Sequence, residues 1–284
     1  MEPALTSEGK QLEAIEDVSE LVAVGPLMGL FALMDHDGSP NWPFGMLPPL
    51  GHWLYCLNRA PHAHLDLAGT LRNTPFLPQG LNESCFWRSG DVQFHNDVRL
   101  GGKLRRTSAI ERRDEAVASG MPDLFQATHR YETAKGLAIE DRQEFICASS
   151  SNWFSANSFS APGRAEWEHA VKPDPVMLIR YSALTFNSHR IHYDRGYCRQ
   201  EAGFPGLVVQ IPLVATLLAD LFLRKRPGYR PIRFSYRVHS LLFDTHPILL
   251  KGIPEADGAI LWAEGEGGRI GMSAAIKTGA VTPI

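Results

Sequence analysis

Residues 206 to 226 form the most apolar stretch of the chain and restrict the folds open to it. They read GLVVQIPLVATLLADLFLRKR, which places apolar side chains around most of the circumference of a helix. A helix of this composition is stable only when other elements bury nearly all of it. Pro212 fits the first turn, where its missing N–H is harmless, and Pro227 with Gly228 ends the helix. The chain must therefore enclose this helix within other structure.

Four segments after that helix alternate apolar and polar side chains. They read IRFSYRVHSLLFD, PILLKGI, AILWAEGEG and RIGMSAAIKT. Alternation of this kind predicts half-buried antiparallel strands. We also predict a strand from Asp174 to Phe186, before the helix. A curved antiparallel sheet around one buried helix is the hotdog arrangement.

The first half of the chain carries a similar series, DVQFHNDVRL, KLRRTSAIERRD, DLFQATHRYETA and LAIEDRQEFICAS. Before it we predict one or two helices between Ser7 and Met34, then a long irregular passage from Asp35 to Gly80. Ser149 to Ala165 has the composition of a linker between domains. We therefore predict an α+β double hotdog, with an N-terminal domain at residues 1–150 and a C-terminal domain at 151–284. Two antiparallel sheets would each wrap around a central helix.

Composition and charge exclude several classes of protein. Hydrophobic and charged contents of 44% and 21% are typical of a globular chain. A net charge of −3 argues against a nucleic-acid binder. No apolar run approaches the roughly 20 residues of a membrane span, and the N-terminus lacks the layout of a signal peptide. The four cysteines form no CxxC pair, which argues against a zinc ribbon or a disulfide scaffold and favours a cytoplasmic location.

A cluster of polar side chains precedes the apolar helix, in the segment NSHRIHYD at residues 187–194. This segment resembles the D-x-N-P-x-H-x-D signature of the MaoC-like, type 2 enoyl-thioester hydratase family of double-hotdog proteins. Asn187 stands at the first Asp of the signature and His192 at its catalytic His. Longer stretches resemble, in order, the subgroup that contains mesaconyl-C4-CoA hydratases; among them are LPPLGHWLYCL, GDVQFHNDVRLGGKLRRTSAI and GFPGLVVQIPLVATLLADL.

The resemblance implies addition of water across the C=C bond of an α,β-unsaturated acyl-CoA, most like mesaconyl-C4-CoA to citramalyl-CoA. The CoA thioester would be the substrate, and no separate cofactor is expected. His192 would act as the base, because an imidazole exchanges protons near neutral pH. Asn187 would orient the water, and backbone N–H groups of Gln210 and Ile211 would hold the charge that grows on the thioester oxygen. Possible substrate-binding residues are Arg237, His189 and Asp194.

Two positions depart from the family pattern. Asn187 replaces an aspartate and cannot accept a proton as a carboxylate does, so His192 would make both proton transfers. Ile211 stands where relatives often have a glycine, which would allow closer approach of the thioester. Two alternatives therefore stay open: a (3R)-hydroxyacyl-thioester dehydratase of fatty-acid metabolism, and a non-catalytic hotdog protein that binds acyl-CoA or acyl carrier protein.

Each candidate residue also has a purely structural interpretation. His192 could be a hydrogen-bonded histidine at a sheet edge, His189 and Asp194 could orient the loop, and Arg237 could form a surface ion pair. We expect no metal, since the two histidines lack a regular spacing for one. In the first half, which has no copy of the motif, an acyl pocket could be lined by aromatic residues: Trp42, Trp53, Tyr55 and Phe76. A homodimer is also possible.

Overall fold

The computed structural model describes residues 4–5, 11–12, 16–36, 42–72, 84–112, 123–148, 160–161 and 163–279. The strands are β1 (Ala4–Leu5), β2 (Gln11–Leu12), β3 (Glu16–Leu21), β4 (Ser84–Phe94), β5 (Lys103–Arg112), β6 (Asp123–Thr133), β7 (Gly136–Ala148), β8 (Trp167–Val171), β9 (Pro231–Val238), β10 (Ile248–Glu255), β11 (Gly258–Glu264) and β12 (Ile270–Thr278). The helices are α1 (Val24–Leu33), α2 (Pro175–Leu184), α3 (Arg195–Gln200) and α4 (Ile211–Lys225), with 3-10 helices at Gly51–Leu54, His62–His64, Arg190–His192 and Glu266–Gly268.

Measured by length and hydropathy, no described helix could cross a membrane. The predicted domain boundary at residue 150 and the candidate Phe76 lie outside the described residues.

The ten strands β3 to β12 form one continuous antiparallel sheet, in the order β3-β5-β6-β7-β4-β9-β12-β11-β10-β8. This order is a mirror image about the pair β4 and β9, so each half of the chain contributes five equivalent strands. The predicted α+β hotdog fold and all eight alternating strands are confirmed. The two sheets that we expected are joined edge to edge, because Ser89–Gln93 of β4 pairs with residues 233–237 of β9.

The apolar helix α4 is buried against strands β9 to β12, as its composition predicts. It begins at Ile211 and has Pro212 in its first turn. In the N-terminal half, the described residues between α1 and β4 contain two 3-10 helices, Gly51–Leu54 and His62–His64, and no α-helix. Leu50, just before the first of these, adopts a left-handed backbone conformation (φ 65°) that interrupts any longer helix. The predicted central helix is confirmed for the second half, and among the described residues of the first half no α-helix corresponds to α4.

Two further predictions of local structure are corrected by the structure. The segment Asp174–Phe186, predicted as a strand, contains α2: the Asp174 side chain accepts a hydrogen bond from the Met177 N–H at 2.8 Å, and Pro175 occupies the first turn. Of the one or two helices predicted between Ser7 and Met34, the described residues contain one, α1. Glu16–Leu21 instead pairs with β5 as an edge strand, with side chains alternating between half-buried and exposed.

The backbone has the same conformation after α1 in the first half and after α2 in the second. Asp35 and Phe186 both have a left-handed backbone, with φ of 55° and 52°. The next residues make equivalent hydrogen bonds: the His36 N–H donates to the Phe31 carbonyl at 3.0 Å, and the Asn187 N–H donates to the Ser182 carbonyl at 2.8 Å. His36 is therefore the N-terminal counterpart of Asn187.

Cys85 and Cys147 form a disulfide between β4 and β7, whereas the sequence predicted no disulfide scaffold. The two residues lie directly opposite each other in the antiparallel ladder, with Cα atoms 4.1 Å apart. Their separation of 62 residues hides this pairing in the sequence. Cys56 and Cys198 are buried free thiols.

Candidate functional site

Residues 187–194, here called the motif loop, connect α2 to α3. The loop contains the 3-10 helix Arg190–His192, and it follows a helix instead of the strand that we predicted. The side chain of His192 is buried, with 7% of the residue exposed. Asn187 and His189 are half-buried in the same loop.

One hydrogen bond fixes the chemical form of His192. Its Nδ1 lies 2.8 Å from the carbonyl oxygen of Val208. Since a carbonyl only accepts, Nδ1 carries the proton and Nε2 keeps a free lone pair. Burial lowers the pKa of His192 from 6.5 to about 4. The ring is therefore neutral at physiological pH and presents one basic nitrogen.

The same contacts hold the motif loop at the start of α4. The Val208 N–H donates to the Ile191 carbonyl at 2.9 Å, so the chain two residues before Gln210 runs beside His192. Among the described residues, no group accepts a hydrogen bond from the backbone N–H of Gln210 or Ile211. Unsatisfied N–H groups at a helix start are the usual partners of a developing anion. The structure thus brings together His192, Gln210 and Ile211.

Two hydrogen bonds to α2 hold the side chain of Gln210. Its Nε2 donates to the Leu178 carbonyl at 2.9 Å and to the Ser182 Oγ at 3.0 Å, while its Oε1 is buried without a partner. These contacts fix the backbone at the start of α4. The sequence did not indicate Val208 or Ser182, because their contributions depend on contacts between segments that are distant in the chain.

Asn187 and His189 are linked within the motif loop. The Asn187 Oδ1 accepts a hydrogen bond from the His189 N–H at 3.0 Å, which leaves the amide NH₂ of Asn187 to donate elsewhere. The His189 ring lies edge-on to the His192 ring, with centroids 5.7 Å apart. Burial lowers the pKa of His189 to about 4, so this neighbour is neutral as well.

Asp194 and Arg237 are placed differently from the other candidates. The Asp194 Oδ1 caps α3 by accepting from the Tyr197 N–H at 2.9 Å, and Oδ2 accepts from Arg190 at 2.8 Å. Both oxygens thus have structural partners. Arg237 is exposed on β9, between the buried side chains of Tyr236 and Val238, and so points away from α4. The structure does not bring Arg237 to the motif loop.

The aromatic residues suggested for an acyl pocket divide between two environments. Tyr55 is buried and donates to the Ala23 carbonyl at 2.5 Å, and Trp53 donates to the buried Asp141 at 2.8 Å. Trp42 lines a pocket between α1 and α4. Within the described part of the chain, no three His, Cys, Asp or Glu side chains are grouped as metal ligands.

The fold is the hotdog fold that is also found in MaoC-like dehydratases. A solved MaoC-like dehydratase from Phytophthora capsici superposes with a TM-score of 0.66 at 12% sequence identity, over 93% of this chain and 96% of the other. A model of the hydroxyacyl-thioester dehydratase type 2 family matches residues 50–244. The chain belongs to this family of hydro-lyases.

Two curated relatives agree with this assignment. The mesaconyl-C(4)-CoA hydratase of Chloroflexus aurantiacus is 35% identical over 268 residues, which cover 93% of this chain and 95% of the relative. The mitochondrial hydroxyacyl-thioester dehydratase type 2 of Schizosaccharomyces pombe is 36% identical over 230 residues, which cover 71% and 76%. Both relatives are named for adding or removing water, which supports the predicted hydratase class.

Proposed function

We propose that the protein hydrates the double bond of an α,β-unsaturated acyl-CoA, most like the conversion of mesaconyl-C4-CoA to citramalyl-CoA. The observation that carries this proposal is the neutral, buried His192 beside the open N–H groups at the start of α4. The 35% identical hydratase supports the choice of substrate. A cytoplasmic location, a homodimer and the lack of a cofactor remain predictions.

In the proposed reaction the thioester oxygen accepts hydrogen bonds from the backbone N–H groups of Gln210 and Ile211. The Asn187 amide donates to the attacking water and orients it, since its Oδ1 is already engaged. His192 Nε2 removes a proton from this water as the oxygen bonds to the β-carbon. The electron pair of the double bond moves onto the thioester as an enolate, which the N–H groups stabilise.

The second half of the reaction returns the proton. His192 Nε2 donates it to the α-carbon, the enolate reverts to the thioester, and the histidine is neutral again. A carbonyl oxygen at Nδ1 suits this cycle because it holds the ring in one tautomer and stabilises the protonated form. Atoms balance without a further reactant. Dehydration of a β-hydroxyacyl thioester is the reverse path through the same groups.

The 36% identical hydroxyacyl-thioester dehydratase type 2 of Schizosaccharomyces pombe favours a second candidate, a dehydratase for longer acyl chains. Such an enzyme would act on an apolar acyl chain instead of a dicarboxylate.

The absorbance of the enoyl-thioester band tests these functions directly. Purified protein would be mixed separately with mesaconyl-C4-CoA, itaconyl-CoA, crotonyl-CoA and 2-decenoyl-CoA. We expect the band to decay fastest with mesaconyl-C4-CoA. A preference for the decenoyl ester would favour the long-chain dehydratase, and measurable binding without any decay would favour a non-catalytic binding protein.

A further inference from the structure

The N-terminal half reaches the motif loop through a short hairpin, residues 64–72. Leu65 pairs with Leu71, and the turn between them is closed by Asp66 and Thr70. The Asp66 N–H donates to the Thr70 carbonyl at 2.8 Å, and the Asp66 carboxylate accepts from the N–H and the hydroxyl of Thr70 at 2.8 and 2.7 Å. The 64–72 hairpin is therefore a well-defined turn within the passage that the sequence predicted to be irregular.

Three successive carbonyls of the 64–72 hairpin accept hydrogen bonds from the motif loop. Leu67 accepts from the Arg190 guanidinium at 3.1 Å and Ala68 accepts from the Arg190 N–H at 2.8 Å. Gly69 accepts from the Ser188 hydroxyl at 2.7 Å. Ser188 and Arg190 flank His189, whose carbonyl accepts the His192 N–H at 3.2 Å. The hairpin thus holds the turn that carries His192.

Gly69 allows this close contact. Its backbone is left-handed (φ +78°), and an added Cβ would lie 2.0 Å from the Ser188 carbonyl oxygen. No side chain fits there, so a substituted hairpin must move away from the motif loop or push it aside. The same Ser188 carbonyl accepts from the Tyr193 hydroxyl at 2.9 Å, which ties it to the residue after His192.

We propose that the 64–72 hairpin is a positioning device for the proposed base His192, with Gly69 as its positioning residue. This role rests on the proposed hydration, since a positioned base matters only if His192 is the base. The N-terminal half, which carries no copy of the motif, would then contribute directly to the rate. Displacing a reacting group by about 1 Å can cost about 100-fold in rate.

The test compares Gly69→Ala with Gly101→Ala. Gly101 has nearly the same backbone conformation (φ +76°), but no atom lies within 4 Å of an added Cβ, so it controls for backbone strain alone. We expect Gly69→Ala to lower kcat by about 10- to 100-fold with little change in KM. Gly101→Ala should retain the kcat of the parent protein. Equal kcat values for the two variants, or a change in KM alone, would overturn the proposal.

Amide hydrogen exchange gives a readout that does not need turnover. The Arg190 N–H should exchange faster in Gly69→Ala than in the parent protein, because its acceptor on Ala68 is displaced, and at the parental rate in Gly101→Ala. Unchanged exchange in Gly69→Ala would contradict the proposed contact. An inactive parent protein with the expected exchange difference would count against His192 chemistry and leave the contact intact.

A milder variant covers the case in which Gly69→Ala does not fold. Ser188→Ala removes only the hydroxyl that donates to Gly69 and creates no clash. We expect a fall in kcat of a few-fold, with KM unchanged and faster exchange of the Arg190 amide. Parental values of kcat and exchange in Ser188→Ala would overturn the proposal.

Discussion

The two halves of the sheet use the same strand order but fill the concave side differently. In the C-terminal half α4 is a full helix whose first N–H groups are open. In the described part of the N-terminal half, no α-helix lies between α1 and β4, and the buried Gly51–Leu54 turn follows α1. The two halves therefore have different roles. The C-terminal half provides a helix start that can bind an anion, and the N-terminal half mainly provides a structural support.

A buried polar network fills the N-terminal half where the C-terminal half has its site. The carboxylate of Asp141 is fully buried and accepts hydrogen bonds from Trp53 at 2.8 Å and Gln143 at 2.7 Å, with the His52 ring at 3.3 Å. Burial alone would raise the pKa of Asp141, but the hydrogen bonds from His52 and Trp53 and the nearby imidazoles of His52 and His129 together lower it. We interpret this network as structural, in contrast to the motif loop.

Substitution of one buried histidine in each half should give the largest difference in kcat between the two halves. His192 and His129 are both buried, and burial lowers the pKa of each to about 4. We expect His192→Ala to lower kcat by about 10²–10⁴-fold, as loss of a general acid–base does. His129→Ala should lower the melting temperature and leave kcat within a few-fold. Similar kcat losses in both variants would contradict the division of tasks.

The second largest effect should be a loss of stability caused by a substitution in the N-terminal half. Asp141→Ala would leave the Trp53, Gln143 and His52 donors buried without an acceptor, at a cost of about 3–5 kcal/mol in the free energy of unfolding. Asp91→Ala is the control, since its ion pair with Arg233 is at the surface and should contribute less than about 1 kcal/mol. Urea denaturation measures both, and equal midpoints would refute the role of the network.

A smaller effect is expected from the disulfide between Cys85 and Cys147. Replacing both cysteines with serine should lower the free energy of unfolding by about 2–4 kcal/mol, because the bond restricts the unfolded chain. The disulfide joins strands β4 and β7 of the N-terminal half, so kcat should not change. Denaturation of the oxidised and the doubly substituted protein, followed by initial-rate assays, would check both statements. A large loss of kcat would show that the disulfide supports the candidate site, which would contradict this prediction.

Much of the fold could be predicted from the sequence, because the alternation of strands and a long apolar helical run are local signals. The eight alternating strands and α4 are examples. The segment Asp174–Phe186 was misjudged although Asp174 and Pro175 form a helix start, since its apolar residues also suit a strand. The pairing of Glu16–Leu21 with β5 and the disulfide depend on register across the sheet, which no local pattern contains.

The candidate site was predictable in part for the same reason. A recognisable motif indicated Asn187 and His192, and the helix start indicated Gln210 and Ile211. The carbonyl of Val208 and the 64–72 hairpin act through backbone atoms, whose positions are set by the fold and not by residue type. The exposed position of Arg237 also depends on which face of β9 is covered.

The central claim is that a buried, neutral His192 acts as the base, and the pH dependence of kcat/KM tests it most directly. The base must be unprotonated, so the rate is constant above its pKa and falls below it. With a pKa of about 4, kcat/KM should change little between pH 7.5 and pH 5.5. An ordinary histidine with a pKa of about 6.5 would retain only about one tenth of the rate at pH 5.5. A tenfold fall over that range, with the protein still folded, would contradict the account.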